Sequence, residues 1–372
     1  MTTKPLRILH TESSCGWGGQ EIRILTESTG MLARGHAVTL LSCSGSNIDR
    51  VARGNGVPAV ALPIGRKRPG ALLALRRWLA EHRHMFDVIN THSSTDAWLV
   101  AAAGATLGGM PPVVRTRHVS TAVNNGLGTR WLYLQATRHV VTTGERLRQQ
   151  LHRDNGFALA HMTSIPTGID LARYRPGEAG AARAALGLPG RPTLGIVATL
   201  RSWKGHADLL AAWAALGAQR GDWQLVVVGD GPQRANLEQQ AAALGLQDAV
   251  HFVGNREDVE RWLTAFDLFV LPSYGNEGVP QGIMQAMAAG LPVVSTTVGA
   301  IDEAVVDGET GVLLAPRDVA ALGTTLARLM HDAPLRQRYG AAGLARAQAR
   351  FGSERMLDAM EAVFRAALEP RG

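Results

Sequence analysis

Short apolar runs alternate with segments of helical spacing along almost the whole chain, and this alternation constrains the fold more than any other feature. Helices between successive strands connect those strands in parallel and cover both faces of a sheet. The pattern therefore predicts an α/β protein with mainly parallel sheets. The predicted strands lie at 6–10, 37–42, 58–62, 87–91, 113–117 and 140–143, and then at 193–199, 225–228, 250–253, 268–271 and from 292 onward.

The alternation stops and restarts once, which predicts two domains. Residues 164–177 read SIPTGIDLARYRPG, a turn-rich stretch, and Leu188-Pro189-Gly190-Arg191-Pro192 precedes the second series of strands. A chain of 372 residues is long enough for two domains of ordinary size. We predict a first domain at 1–175, a linker at 176–191 and a second domain at 192–352, followed by a last helix in 353–372. A cleft between two such halves is a preferred position for a ligand.

The composition is that of a globular protein, with 46% hydrophobic and 19% charged residues. Cys15 and Cys43 are the only cysteines, and their spacing predicts neither a disulfide framework nor a metal site. The first residues lack the apolar segment of a signal peptide, and we find no apolar run long enough to span a membrane. We therefore expect a cytoplasmic protein that is soluble or peripheral to the membrane.

A basic segment stands out within the net charge of +7. Arg66-Lys67-Arg68, Arg76-Arg77 and His82-Arg83-His84 flank the apolar residues of 72–79, as in an amphipathic helix with a basic face. Such a face suits the anionic lipid at the inner surface of the cytoplasmic membrane. We expect no nucleic acid as a partner. The alternative is a solvated helix whose apolar side packs on the core.

The stretch 271–296, LPSYGNEGVPQGIMQAMAAGLPVVST, predicts a strand, a polar loop, a helix and a second strand. Ligands of open α/β sheets bind at the carboxyl ends of strands, where this loop lies. Its carboxylate, Glu277, suits sugar hydroxyls, and the backbone N–H groups near the helix start suit phosphates. A sugar nucleotide fits both, although an ordinary βα connection is the alternative. The backbone candidates are Gly278, Val279, Pro280 and Gln281.

Three further loops carry candidate residues. Gly18 and Gly19 precede the first helix, where glycine lets a backbone approach a phosphate, although the G-x-G-x-x-G fingerprint is absent. Arg201 and Lys204 follow the first strand of the second series and could neutralise a diphosphate. His118 follows the strand 113–117, and His92 follows its neighbour in the chain, so both histidines could reach one cleft. The alternatives are a flexible turn, a solvated loop and structural histidines.

Taken together, the order and spacing of these motifs resemble the retaining glycosyltransferases of family four. The motifs that carry the resemblance are GWGGQE, RTRHVS, IPTGID, TLRSWKG, VVVGDGP, FVG, the stretch 271–296 and DGETGVLL. The resemblance implies the GT-B fold, with two Rossmann-like domains whose parallel sheets face each other across a cleft. The first domain would bind the acceptor and the second the nucleotide sugar, with the helix in 353–372 packing back on the first. Enzymes of lipopolysaccharide or other surface-polysaccharide assembly look most similar.

The resemblance also implies roles for single residues. Glu277 matches a glutamate that contacts the donor sugar, and Gln285 stands where the family usually has a glutamate for the ribose hydroxyls. Lys204 matches the lysine of the KG turn, while Thr199 replaces the usual arginine, whose charge Arg201 could supply from a shifted position. His118 matches a histidine near the reacting carbon. Gly18 and Gly19 match the loop near the donor phosphates, and the base is expected against Asn255 and Arg256.

The implied reaction transfers a sugar from a UDP- or GDP-linked donor to a hydroxyl of a glycan or lipid-linked glycan, with retention of anomeric configuration. The diphosphate leaves from the face that the acceptor attacks, so neither an enzyme nucleophile nor a metal or other cofactor is expected. Two alternatives share the architecture, a non-hydrolysing sugar-nucleotide epimerase and a nucleotide-binding partner protein without activity. A dehydrogenase is disfavoured because no strand is followed by G-x-G-x-x-G.

Overall fold

The computed structural model describes residues 4–119, 121–275 and 277–370, so Ser120 of the RTRHVS motif and Asn276 of the stretch 271–296 lie outside the described residues. By packing, the chain divides into two compact units. The first unit comprises Met1–Gly168 and Ser353–Gly372, and the second comprises Ile169–Gly352. The chain thus returns to the first unit for its last helix.

The first unit is built on a seven-stranded parallel sheet in the order β3-β2-β1-β4-β5-β6-β7. Its strands are β1 (Arg7–Glu12), β2 (Ala37–Cys43), β3 (Ala59–Leu62), β4 (Val88–Thr91), β5 (Val113–Arg117), β6 (His139–Thr142) and β7 (Met162–Ser164). Its helices are α1 (Gly19–Ala33), α2 (Asn47–Gly54), α3 (Pro69–His82), α4 (Ser94–Gly104), α5 (Leu127–Leu134), α6 (Glu145–Asn155) and the last helix, Ser353–Leu368.

The last helix of the chain packs against α1 and the sheet of the first unit. Met356, Met360 and Phe364 are buried there together with Ile8 and Ile24. The approach is close, because a Cβ on Gly30 of α1 would stand 2.4 Å from a methyl of Leu357. A bulkier residue at position 30 would push the two helices apart. The lack of a side chain at Gly30 therefore allows this close packing.

The second unit has a six-stranded parallel sheet in the order β10-β9-β8-β11-β12-β13. Its strands are β8 (Thr193–Val197), β9 (Gln224–Val228), β10 (Val250–Gly254), β11 (Leu268–Leu271), β12 (Val293–Thr296) and β13 (Gly311–Leu314). Its helices are α7 (Ala179–Ala185), α8 (His206–Ala215), α9 (Arg234–Ala243), α10 (Val259–Ala265), α11 (Gln281–Ala288), α12 (Ile301–Ala304), α13 (Val319–His331) and α14 (Ala333–Arg350), so the last helix, Ser353–Leu368, is α15.

The region predicted as a linker differs from that prediction. Residues 179–185 form α7, which packs on the second unit through Ala182 and Leu186. An ion pair of 2.9 Å between Arg183 and Asp267 fixes the helix to the residue before β11, an inner strand of the sheet. The second unit also begins at Ile169 rather than after 191, because Ile169 and Tyr174 are buried in its core. The turn-rich sequence thus concealed a packed segment.

Most predicted strands lie within one or two residues of the observed bounds. Two observed strands, β7 and β13, were not predicted. Both lie at the edge of a sheet and are three and four residues long, too short for a clear alternation of apolar residues. Among the described helices, none combines the length and the apolar character that a membrane crossing requires.

Candidate functional site

The order of strands reverses between β8 and β11 in the second unit, and this switch point places two loops side by side. One loop follows β8 and leads through a 3-10 turn, Ser202–Lys204, to α8. The other follows β11 and leads to α11. Crevices at such points are where open α/β sheets bind ligands. The fold therefore brings together the two loops that the sequence singled out.

Lys204 and Glu277 form the charged centre of these loops. The Lys204 ammonium lies 2.7 Å from Oε1 of Glu277, and the Ser273 hydroxyl donates to the same oxygen at 2.8 Å. Glu277 is only 7% exposed, and the Lys204 side chain 19%, so solvent screens the pair little. The ammonium has three donors and gives one to Glu277. It can therefore hold the carboxylate and an anionic ligand at once.

Two glycines let the backbone approach closely around this pair. Gly205 has φ +78°, and a Cβ there would stand 2.0 Å from the Pro272 carbonyl oxygen. Gly299 has φ +60°, and its Cβ would stand 2.0 Å from the carbonyl oxygen of Glu277. Any other residue would suffer both a left-handed backbone and a clash at these positions. Backbone contact thus sets the position of Glu277.

The start of α11 lies next to the same strand ends. A Cβ on Gly282 would stand 2.9 Å from the carbonyl oxygen of Val197, the last residue of β8. The first turn of α11 contains no acidic residue, so no carboxylate of its own opposes an anion at the positive end of the helix dipole. Gln285 lies one turn beyond Gln281 and is half-buried. The predicted backbone residues from Gly278 to Gln281 therefore lead into a helix start at the switch point.

The remaining candidates of the second unit lie farther out. Arg201 is exposed and its guanidinium lies 5.3 Å from the centre of the Trp203 ring. Asn255 and Arg256 are exposed after β10, two strands from β8, which is about 10 Å across the sheet. Arg256 is 3.4 Å from Asp258. The structure thus brings Lys204 and Glu277 into contact, while these three residues surround the site at a distance.

In the first unit the glycine loop precedes α1, which begins at Gly19. Gly18, the residue before the helix, is extended with φ −176°. The buried carboxylate of Glu21 lies in the first turn, 3.8 Å from where a Cβ on Gly18 would be. Negative charge there already stabilises the helix start. A phosphate at Gly18 and Gly19 would have to compete with Glu21, a feature that the glycines alone did not reveal.

Glu12 holds the glycine loop to the start of α4, and no sequence motif indicated this residue. Its Oε1 accepts from the Ser93 hydroxyl and the Ser14 N–H, both at 2.6 Å, and its Oε2 accepts from the Gln20 amide. Burial, and then the charge of Asp96, raise the pKa of Glu12 to about 7. A carboxyl group at the end of β1 is therefore poised to change its protonation near neutral pH.

Asp96 caps the start of α4 beneath this network. It accepts the backbone N–H groups of His92 and Ser93 at 3.0 and 2.9 Å and the Thr11 hydroxyl at 2.7 Å. Burial raises its pKa to about 6. The capping pattern S-x-x-D was readable in the sequence, but its link to β1 depends on the sheet order.

His118 and His92, predicted at neighbouring strand ends, are in contact. His92 Nδ1 lies 3.0 Å from His118 Nε2. Burial lowers the pKa of both imidazoles well below the ordinary value, so both are neutral at pH 7. His118 is half-buried. The imidazole of His10, on β1, lies next to that of His92 and extends this row of rings. His10 was not among the residues predicted from the sequence.

Two cations lie close to the start of α4. Arg115 is only 4% exposed, its guanidinium lies 4.5 Å from the centre of the Tyr133 ring, and its Nη1 lacks a hydrogen-bond partner among the described residues. Lys67 donates to the Ser94 hydroxyl at 3.3 Å and lies 5.5 Å from the centre of the Trp98 ring. Burial, and then Arg115, lower the pKa of Lys67. A cation whose pKa is lowered by a neighbouring cation favours an anionic ligand.

The described residues contain no cluster of three or more His, Cys, Asp or Glu side chains able to hold a metal ion. The groups that the two units offer are the ion pair, the hydrogen-bonded carboxyls and the imidazoles.

Comparison with known proteins gives matches in both units. The model described as "Glycosyl transferases group 1" matches residues 191–332, and that of "Glycosyltransferase Family 4" matches residues 17–173. A lipopolysaccharide core biosynthesis mannosyltransferase, LpsB of Rhizobium meliloti, is 34% identical over 262 residues, which is 68% of this chain and 72% of LpsB. The chain belongs to the family four glycosyltransferases.

Other relatives differ in the sugar that their names give. The 2-deoxystreptamine glucosyltransferase of Streptomyces kanamyceticus is 28% identical over 348 residues, covering 84% of this chain and 89% of that enzyme. Among solved structures, Anabaena HepE in complex with UDP has a TM-score of 0.85 at 20% identity, covering 97% of this chain and all of HepE. WaaG, a glycosyltransferase of lipopolysaccharide biosynthesis, has a TM-score of 0.72 at 18% identity, with 96% and 99% covered. These likenesses confirm the predicted GT-B fold.

Proposed function

We propose that this glycosyltransferase moves a sugar from a UDP- or GDP-linked donor to a hydroxyl of a glycan or lipid-linked glycan, with retention, in the assembly of lipopolysaccharide or another surface polysaccharide. The lipopolysaccharide enzymes among its relatives support the acceptor class. The donor class is supported by HepE, a protein of the same fold whose structures contain UDP and UDP-glucose.

The observation that carries the proposal is the Lys204–Glu277 pair at the switch point of the second unit. Lys204 offers a cation to the departing diphosphate, and Glu277 offers a carboxylate to sugar hydroxyls, 2.7 Å away. A leaving group that gains negative charge in the transition state is stabilised by a fixed cation in a site with little water. The start of α11 adds the positive end of its dipole.

In this account the released phosphate oxygen takes the proton of the attacking hydroxyl. The protein contributes orientation and charge stabilisation and needs no nucleophile, metal or other cofactor. Gln285 would hold the ribose by a neutral hydrogen bond, which is weaker than the charge-assisted bond of a glutamate. Arg201 would approach the phosphates from the loop after β8, and Asn255 and Arg256 would border the base.

The first unit would receive the acceptor near His118. Lys67 and Arg115 support an acidic group on that acceptor, because an anion would satisfy a buried guanidinium whose Nη1 has no hydrogen-bond partner among the described residues. We further propose that the basic face of α3 rests on the inner surface of the cytoplasmic membrane. Leu73 is 66% exposed there, beside the exposed Arg66, Arg68 and Arg77.

The test follows nucleoside diphosphate release from a panel of sugar nucleotides, with and without an acidic core oligosaccharide. A thermal-shift screen selects the donor first, because a ligand that binds the native state raises its apparent stability. We expect release that depends on the acceptor, without added metal and in the presence of EDTA. Isomerised sugar nucleotide in the absence of acceptor would indicate an epimerase. Tight nucleotide binding without turnover on any acceptor tested would indicate a partner protein without activity.

A further inference from the structure

Three histidines form a continuous line across neighbouring strands of the first unit. His10 lies on β1, and His92 and His118 directly follow β4 and β5, strands that are adjacent in the sheet. His10 Nδ1 is 2.9 Å from His92 Nε2, and His92 Nδ1 is 3.0 Å from His118 Nε2. Both distances are those of hydrogen bonds between imidazole nitrogens. The line thus connects the sheet interior with His118.

The inner end of this line faces a buried carboxylate. Glu27 of α1 has its Oε1 3.8 Å from His10 Nε2 and accepts the Asn90 amide at 3.2 Å. Arg23 Nε lies 3.9 Å from Glu27 Oε2, and both side chains are fully buried. From α15, the Phe364 ring packs against His10 at 6.4 Å. Arg23 is therefore the charged group that faces Glu27 and His10 among the described residues.

The three rings carry one proton each. Burial lowers the pKa of His10 to about 3, and the pKa values of His92 and His118 also lie well below the ordinary value. In a neutral imidazole one nitrogen donates and the other accepts. Two hydrogen bonds linking three neutral rings must then run in the same direction. Either every Nε2 is protonated or every Nδ1 is, and the choice at His10 fixes the choice at His118.

We propose that Glu27, His10 and His92 are positioning residues that hold the proton of His118 on Nε2 and leave its Nδ1 as an acceptor for a substrate hydroxyl. The Glu27 carboxylate attracts the N–H of His10 Nε2 and would repel a lone pair there. His10 Nδ1 then accepts from His92, and His92 Nδ1 accepts from His118. The tautomer of His118 follows from the two hydrogen bonds and the neutral rings, while its use toward a hydroxyl rests on the proposed function.

The decisive readout is the tautomer of His118 measured by ¹⁵N NMR of histidine-labelled protein at pH 8.5. There Glu27 is ionised, since burial, opposed by Arg23, places its pKa at about 7. We expect a pyrrole-type Nε2 and a pyridine-type Nδ1 for His118, assigned by the loss of its signals in His118→Gln. A His118 with its proton on Nδ1 in the wild-type protein would overturn the proposal.

Two variants break the line at different points. Arg23→Met combined with Glu27→Met removes both buried charges, which avoids an unpaired one. His92→Phe removes the middle ring and is the second test if the double variant does not fold. Both should shift His118 to a mixture of tautomers. Unchanged Nε2 protonation in every folded variant of this pair would show that the line does not position His118.

Matched controls separate positioning from structure. Arg23→Met combined with Glu27→Gln leaves no unpaired charge and keeps an acceptor oxygen toward Asn90 and His10, so it should preserve the wild-type tautomer. His161→Gln alters another partly buried histidine, whose Nε2 meets the Tyr133 carbonyl at 2.7 Å, and should leave His118 unchanged. A shift of His118 in both controls equal to that in His92→Phe would count against a specific line.

The same variants are then assayed for turnover. We expect kcat to fall about tenfold in His92→Phe, the scale of one lost hydrogen bond that orients the substrate, while UDP or GDP binding changes less than about twofold. Normal kcat with an altered tautomer would overturn the use of Nδ1 toward substrate. If wild-type protein transfers no sugar at all, the proposed function fails, while the NMR result still decides the positioning of His118.

Discussion

In the second unit Lys204 and Glu277 meet as opposite charges, whereas in the first unit Glu12 and Asp96 lie in a network of hydroxyl, amide and backbone donors. The first arrangement keeps one cation ready for a charged ligand. The second holds carboxyls whose pKa burial raises to about 7 and about 6. These groups therefore act differently in the two units, through charge in the second and through hydrogen-bond geometry in the first.

We expect the largest loss of turnover from substitutions that break the Lys204–Glu277 ion pair. Glu277→Ala should lower turnover well over tenfold with the fold retained, and Lys204→Met should do so by about a hundredfold, because each loses a charge-assisted contact worth roughly 1.5–3 kcal/mol or more. Arg201→Met is the control, since this exposed cation should matter less than Lys204. Near-normal turnover in Glu277→Ala would refute its role.

A double variant tests whether Lys204 and Glu277 contribute to turnover together or independently. If the two residues act as one unit, Lys204→Met with Glu277→Gln should lose about as much turnover as the worse single variant. Losses that multiply would instead show two independent contributions.

The next effect tests whether backbone contact positions Glu277. Gly299→Ala should destabilise the protein and lower turnover about tenfold, because its Cβ would stand 2.0 Å from the Glu277 carbonyl oxygen. Gly308→Ala is the matched control, with φ +75° and nothing within 4 Å of its Cβ. It should cost about 1–2 kcal/mol of stability through its left-handed backbone and leave turnover unchanged. Equal turnover in the two variants would remove the positioning argument.

A smaller effect concerns the first unit and pH. Since burial raises the pKa of Glu12 from 4.5 to about 7, its protonated form stabilises the folded state. That contribution is fully present below about pH 4.5 and is lost as pH rises through about 7. Glu12→Gln should therefore flatten the fall in unfolding free energy across this window by on the order of 3 kcal/mol. Denaturant titrations at several pH values measure it, and a slope like that of the wild type would contradict the raised pKa.

The smallest expected effect concerns Gln285. Gln285→Glu should keep donor binding or tighten it about fivefold, because a carboxylate accepts hydroxyl hydrogen bonds more strongly than an amide does. Calorimetry with the selected sugar nucleotide measures this change. A loss of binding in Gln285→Glu would show that the amide serves another purpose.

The sequence predicted the elements well where apolar runs were long and buried. The strand β11, at Leu268–Leu271, was predicted with its observed bounds. Local patterning decides such elements. The edge strands β7 and β13 and the packed helix α7 escaped, because tertiary contacts stabilise them more than their own pattern does.

The sequence predicted some residues of the candidate sites and missed others. Glu277 and Lys204, 73 residues apart, were found through loop position and family resemblance, and the fold places them in contact. Glu12, Glu27 and His10 were missed, because a polar residue inside a strand or helix gives no local sign of its partners. Their contacts depend on the strand order β1-β4-β5, which a single sequence does not reveal. The roles of the site residues remain predictions.

The proposed roles of Lys204, toward the diphosphate, and of Glu277, toward the sugar, are most directly tested by calorimetry. The wild type, Lys204→Ala and Glu277→Ala are each titrated with UDP, GDP and the selected sugar nucleotide. Lys204→Ala should weaken binding of the nucleoside diphosphate and of the sugar nucleotide by at least about tenfold, the loss of a charge-assisted contact. Glu277→Ala should weaken only the sugar nucleotide. Nucleoside diphosphate that binds Lys204→Ala as tightly as the wild type would contradict the account.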